Sequence, residues 1–199
     1  MGVLASIVDR SISGSFSSEV FKIGDYAFNG CSNLTELSFP KATNISTYAF
    51  SYCSSLTSVS FPEATSIGSN AFRSCSNLTS VSFPNATSIG NVAFLGCSGL
   101  TSASFPEVTS IGSQAFYYCS SLTEVSIPKA TSIGSQAFYP CNKLTTIYVG
   151  TESDTVCTLS STNAIPSSVT NIYVPESLVD SYKSATNWSN YASKIKVAP

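Results

Sequence analysis

Cys31, Cys53, Cys75, Cys97, Cys119 and Cys141 stand 22 residues apart, five intervals in a row. A fixed period of this length is the mark of an array in which every repeat builds the same structural unit. Six units run from Ile23 to Asp154, among them IGSNAFRSCSNLTSVSFPNATS (67–88) and IGSQAFYYCSSLTEVSIPKATS (111–132). Their common frame is I-G-x-x-A-F-x-x-C-S-x-L-T-x-V-x-F-P-x-A-T-x. A chain in which every twenty-second residue repeats the same role stacks coils along one axis and does not wrap a single central core.

Each position of the frame has a physical reason. L-T-x-V-x-F predicts a short strand: Leu78, Val81 and Phe83 point inward and Ser80 and Ser82 point out. Proline then ends the strand at Pro40, Pro62, Pro84, Pro106 and Pro128, because it has no N–H to give to a ladder. The A-T-x-I-G stretch turns the chain along the opposite side. The x-x-A-F stretch is expected to form one helical turn that carries Ala and Phe inward. One unit cannot fold by itself. Its five large apolar side chains contribute roughly 1.5–3 kcal/mol each, against about 1–2 kcal/mol per residue for ordering the backbone. Stacking closes the deficit by covering both open faces of each coil, with parallel strands about 4.8 Å apart. Phe, Leu and Cys then fall into ladders.

Composition excludes several classes of function. Only 10% of the 199 residues are charged and there is no histidine. This removes histidine-assisted Ser or Cys catalysis, histidine metal ligands and a histidine pH switch. A net charge of −2 offers no basic excess to track phosphates, so nucleic acid is not an expected partner. No apolar run reaches the ~18–20 residues of a membrane helix, so membrane insertion is not expected. The opening MGVLASIVDRSISG has no basic head before its apolar patch and does not read as a secretory signal. Two expectations follow: an intracellular or assembled protein, or a piece of a longer secreted one.

With its preceding I-G, the frame A-F-x-x-C-x-x-L-T-x-V-x-F-P resembles the BspA-like (Treponema-type) leucine-rich repeats of bacterial surface proteins. The resemblance implies an α/β solenoid: a right-handed leucine-rich-repeat superhelix with a parallel β-sheet on one face and 22-residue repeats. It also implies a role in adhesion to host matrix proteins or to other microbes. Three segments of one structural domain are expected. Residues 1–22 form a degenerate N-terminal cap, in which one period places Ile12 over Leu34, and Ser15 and Ser17 over Leu37 and Phe39. Residues 23–154 form the six repeats. Residues 155–199 hold an irregular segment with Cys157, a last strand at 169–175 and a C-terminal helical cap. In that cap Leu178, Tyr182 and Ala185 share a helical face, with Val179 beside them. Trp188, Tyr191 and Ile195 continue the apolar set and bury the last coil's open edge.

Few residues invite chemistry. Neighbouring thiols in a parallel ladder point the same way, which suits neither a disulfide nor a tetrahedral zinc site. They read as buried apolar filler. Glu36 and Glu124 share a phase but lie four coils apart, roughly 19 Å, too far for a glycosidase pair. No catalytic residue, metal ligand or cofactor is expected, and the chain reads as a non-enzyme. The strand's outer face carries two polar rows: Glu36, Ser58, Ser80, Ser102, Glu124 and Thr146, then Ser38, Ser60, Ser82, Ser104, Ser126 and Tyr148. The two positions between Phe and Cys vary from unit to unit and are rich in residues that anchor interfaces. Tyr48, Tyr52, Arg73, Tyr117, Tyr118 and Tyr139 are the candidate ligand-binding residues; the alternative is that these tyrosines only pack over coil edges. The leading functional reading is a cell-surface or extracellular module that binds a protein or glycan on a host or microbial surface. The alternative is a structural or receptor-contact component of a phage or prophage particle.

Overall fold

Each unit closes into one coil with three walls, and equivalent residues of successive coils lie above one another. The structure is a computed structural model; it describes residues 20–199 and, before them, the strands Gly2–Leu4 and Gly14–Ser15. The first wall is the L-T-x-V-x-F strand, seen at Glu36–Ser38, Ser58–Ser60, Ser80–Ser82, Ser102–Ser104, Glu124–Ile127 and Thr146–Val149. Neighbours pair in parallel at an offset of 22, so that Val59 faces Val81 and Val125 faces Ile147. The two outward rows therefore stand in register, Ser58 beside Ser80 and Ser60 beside Ser82.

The second wall is a further parallel ladder, which the sequence pattern marks only as a turn. Asn44–Ile45, Ser66–Ile67, Ser88–Ile89, Ser110–Ile111 and Ser132–Ile133 pair in sequence. Two residues are too short for alternation to be legible. The coils close tightly after the isoleucine. A Cβ on Gly112 would sit 2.5 Å from the Asn91 nitrogen, so only glycine admits this approach.

The third wall corrects the expected helical turn. The x-x-A-F-x-x-C stretch is a run of tight turns with left-handed residues at two fixed places. The first holds Tyr26, Tyr48, Asn70, Val92, Gln114 and Gln136; the second holds Gly30, Tyr52, Ser74, Gly96 and Tyr118. Backbone donors alternate in their use. In the second coil Ala49 and Ser51 donate within the coil, to Ser46 and Tyr48, whereas Tyr48, Phe50 and Tyr52 donate to Ser69, Ala71 and Arg73 of the next coil. A continuing helix would aim its N–H groups along its own axis, four residues back, and not sideways at the next coil. Ala and Phe do point inward, as expected.

The interior holds two phenylalanine stacks. Phe28, Phe50, Phe72, Phe94, Phe116 and Phe138 follow at 5.0–5.3 Å between ring centroids. Phe39, Phe61, Phe83 and Phe105 follow at 5.5–6.2 Å, tilted against the first stack. The longest step, Phe83 to Phe105, coincides with the one interruption in the first wall. Ser80–Ser82 ends a four-stranded sheet and Ser102–Ser104 begins a five-stranded one. The fourth coil has Ala103 where its neighbours have Val81 and Val125, and Val81 is left half-exposed. It also has Gly99, whose N–H reaches Ser76 of the preceding coil at 2.9 Å.

At the N-terminal end Gly14 pairs with Leu37 and Ser15 with Ser38, one residue off the strict period. Gly2–Leu4 pairs in parallel with Val20–Ile23, and the remaining cap residues between these strands, including Ile12 and Ser17, lie outside the described residues. At the other end Asn171–Val174 extends the first wall and Thr158–Leu159 the second, so residues 150–170 still trace a coil of unequal length. The C-terminal segment is not one helix. A 3-10 turn (Glu176–Leu178), a six-residue helix (Val179–Ser184) and a longer 3-10 stretch (Trp188–Lys194) lead into the strand Ile195–Val197, which pairs with Asn171–Val174. The expected helical cap is present in Val179–Ser184, with Tyr182 and Trp188 fully buried, but Ile195 is a strand residue and the segment also adds a last strand to the sheet.

Candidate functional site

The third wall carries the side chains that packing leaves free. Ala, Phe and Cys of each coil are buried, while most residues flanking Ala-Phe are partly or fully exposed; Ser51, behind Phe50, is the buried exception. The candidate residues fall into three groups. Tyr48 stacks on Tyr26, rings 4.8 Å apart and 7° from parallel. Tyr52 receives the Arg73 guanidinium of the next coil, 5.7 Å from its ring centre, and Arg73 also reaches the Asn70 side chain. Tyr117 meets Tyr118 edge-on at 4.7 Å and lies 6.3 Å from Tyr139. The structure does not gather all six into one cluster. The fourth coil, with Leu95 and Gly96 at these positions, separates the Tyr52–Arg73 pair from the three later tyrosines.

Tyr52, Tyr118 and Tyr139 are among the most exposed large side chains, at 49%, 54% and 42%. Tyr52 and Tyr118 hold left-handed backbone, φ 62° and 61°, at the position where Gly30 and Gly96 stand in other coils. Glycine adopts this conformation freely, whereas a residue with a Cβ does so at a cost of about 1–2 kcal/mol. An exposed ring returns little of that cost through burial.

Two aromatic features escape the sequence reading. Tyr26 lies in the first repeat at the position equivalent to Tyr48, and the matching positions 22 apart are its signal. Tyr173 stacks on Tyr148 at 4.9 Å, on the otherwise hydroxyl-bearing first wall. The repeated I-Y-V at 147–149 and 172–174 is the trace of that pair in the sequence.

The thiols have a structural place. All seven cysteines are free and buried. The Sγ atoms of Cys53, Cys75, Cys97, Cys119 and Cys141 each donate to a phenylalanine carbonyl of the preceding coil, at 3.1–3.2 Å. Burial pushes the Cys53, Cys97 and Cys157 thiols up to about 12. Neutral, hydrogen-bonded thiols of this kind are poor nucleophiles.

A family model for the BspA-type leucine-rich repeat region matches residues 10–107 and 65–192, in six copies. The chain belongs to the BspA-type leucine-rich repeat family. Among solved structures, this repeat protein is similar to the leucine-rich repeat protein of T. pallidum, at 22% identity and a TM-score of 0.76 over 98% of this chain and 90% of that one. A leucine-rich repeat protein from Bacteroides ovatus matches at 25% identity and a TM-score of 0.64, over 88% of this chain and 54% of its own length. The pneumococcal vaccine antigen PcpA matches at 20% identity and 0.56, over 94% and 41%. No curated protein matches this chain. The family and the solenoid of parallel 22-residue coils agree with the sequence reading.

Proposed function

We propose that this repeat protein is a non-enzymatic binding module of a bacterial cell-surface or secreted protein, and that it engages a protein or glycan of a host or neighbouring microbe through its third wall. The observation that carries this is the pair Tyr52 and Tyr118: exposed aromatic rings in left-handed backbone, where two other coils use glycine. Strained, exposed residues of this type point to contact, because half of each ring stays in solvent and its contacts to Arg73 or Tyr117 lie on the surface. A lack of histidine and the wide spacing of carboxylates favour binding over catalysis. A net charge of −2 offers no basic excess for phosphates, which supports a protein or glycan partner over a nucleic acid. A surface location draws support from the likeness to a protein named as a vaccine antigen.

The test is capture of labelled protein on two panels, intact gut-type bacteria and host matrix proteins with epithelial cells. Saturable, selective capture by one panel is expected. Capture confined to bacterial envelopes would favour an interbacterial or phage role. Capture by neither would overturn the proposal and leave an assembly spacer as the better account.

A further inference from the structure

Where the last coil meets the C-terminal segment, a shallow groove of about 340 Å³ opens beside the third wall. Tyr139 lines it, so the groove continues the run of rings from Tyr118 through Tyr117. Tyr191, Lys194, Asn163 and Asn190 line it as well. Tyr191 and Lys194 are held in place. The Tyr191 hydroxyl bonds the carbonyl of Ile165 at 2.9 Å and also meets that of Thr162. Lys194 donates to the Ser167 carbonyl at 3.0 Å and lies 5.9 Å from the centre of the Tyr191 ring.

The chemistry of this lining is selective. Its only ionised side chain is Lys194, no carboxylate lines the groove, and among the described residues Lys194 has no acidic partner. Two of the ammonium's three donors remain after the bond to Ser167. The Asn163 carbonyl oxygen already accepts from Ser161 and the Asn190 amide already donates to Asn187, which leaves the Asn163 amide donors and the Asn190 carbonyl oxygen for vicinal hydroxyls, and an exposed phenol ring presents a flat apolar face to the C–H side of a sugar. The volume lies at the small end of ligand pockets, which run about 300–1,000 Å³.

We infer that this groove binds a terminal acidic monosaccharide of a glycan, its ring on Tyr139, its hydroxyls at Asn163 and Asn190 and its carboxylate on Lys194. The inference rests on the binding-module reading and names the partner's chemistry at one end of the same wall. The bond to a charged donor supplies the discrimination, since charge-assisted hydrogen bonds are roughly twice as strong as neutral ones.

The test is titration of the whole chain with glucuronic acid, galacturonic acid and N-acetylneuraminic acid, with glucose as the neutral control, followed by calorimetry and saturation-transfer NMR. The expected result is saturable binding of at least one acidic sugar, at least tenfold tighter than glucose and weakened by added salt. Lys194→Gln and Tyr139→Ala should each weaken it at least tenfold, while Ser80→Ala, on the first wall, leaves it unchanged. Matching melting curves establish that the variants fold. Absence of saturable binding by all three acids, equal binding of glucose, or indifference to Lys194→Gln would each overturn the inference. Undiminished capture of Lys194→Gln on the cell and matrix panels, together with any of these, would discard the sugar site and leave the binding-module reading standing.

Discussion

At the scale of single residues, the repeats act as internal controls for one another. Position four of the unit is left-handed in all six coils, filled by Tyr, Asn or Gln in five and by Val92 in the fourth, φ 62°. A β-branched residue is the least suited to that conformation. Val92→Asn, which copies Asn70 one coil earlier, should raise stability by about 1 kcal/mol, read from chemical denaturation. The thiols give a second prediction at this scale. Buried Cys53, Cys97 and Cys157 keep their protons up to about pH 12, while an ordinary thiol loses its proton near 9. Their contribution is therefore complete below pH 9 and is lost as pH rises toward 12. Circular dichroism should record cooperative alkaline unfolding in that window, with the thiols inert to alkylating reagents below it. Thiols that react fully at pH 8 in the folded protein would contradict this.

At the scale of elements, the strand was legible and the turn wall was not. L-T-x-V-x-F declares its inner and outer faces by alternation, and the fully buried Leu78 and Phe83 follow that phase. The A-F stretch shows two small-to-large apolar residues with nothing to separate a helical turn from stacked tight turns. The decision lies in hydrogen bonds to the next coil, and no single unit encodes those. The same limit hid the second ladder and the terminal strand Ile195–Val197. Phe94, stacked between Phe72 and Phe116, should cost roughly 3–5 kcal/mol when changed to Ala. Ser80→Ala, on the outer face, should stay within about 0.5 kcal/mol. Equal effects would reverse the assignment of faces. The interrupted ladder makes a further prediction. Ala103→Val supplies the two methylene-sized groups that neighbouring coils use, and should stabilise by about 1 kcal/mol. Protection of the Ser102–Ser104 amides from hydrogen exchange should rise with it.

At the scale of the whole molecule, hydrogen bonds and ring stacks run along one axis, and the outer surface is divided between a hydroxyl face and an aromatic face. The family and its repeat period were open to sequence because stacking forces every coil to spend the same residues on the same contacts. The candidate site was legible only as the positions that vary. Its grouping into Tyr48 with Tyr26, Tyr52 with Arg73, and Tyr117 with Tyr118 and Tyr139 depends on which coils are neighbours and which way each turn throws its side chains. The cap groove was hidden because its walls come from three stretches far apart in the chain. The central claim is that the third wall trades stability for contact, and it is tested most directly by the double variant Tyr52→Gly, Tyr118→Gly. Melting and capture on the host and bacterial panels would be measured together. The account predicts stability unchanged or higher by up to about 1 kcal/mol, with capture reduced at least tenfold. Capture equal to that of the parent chain, with or without a change in melting, would contradict it.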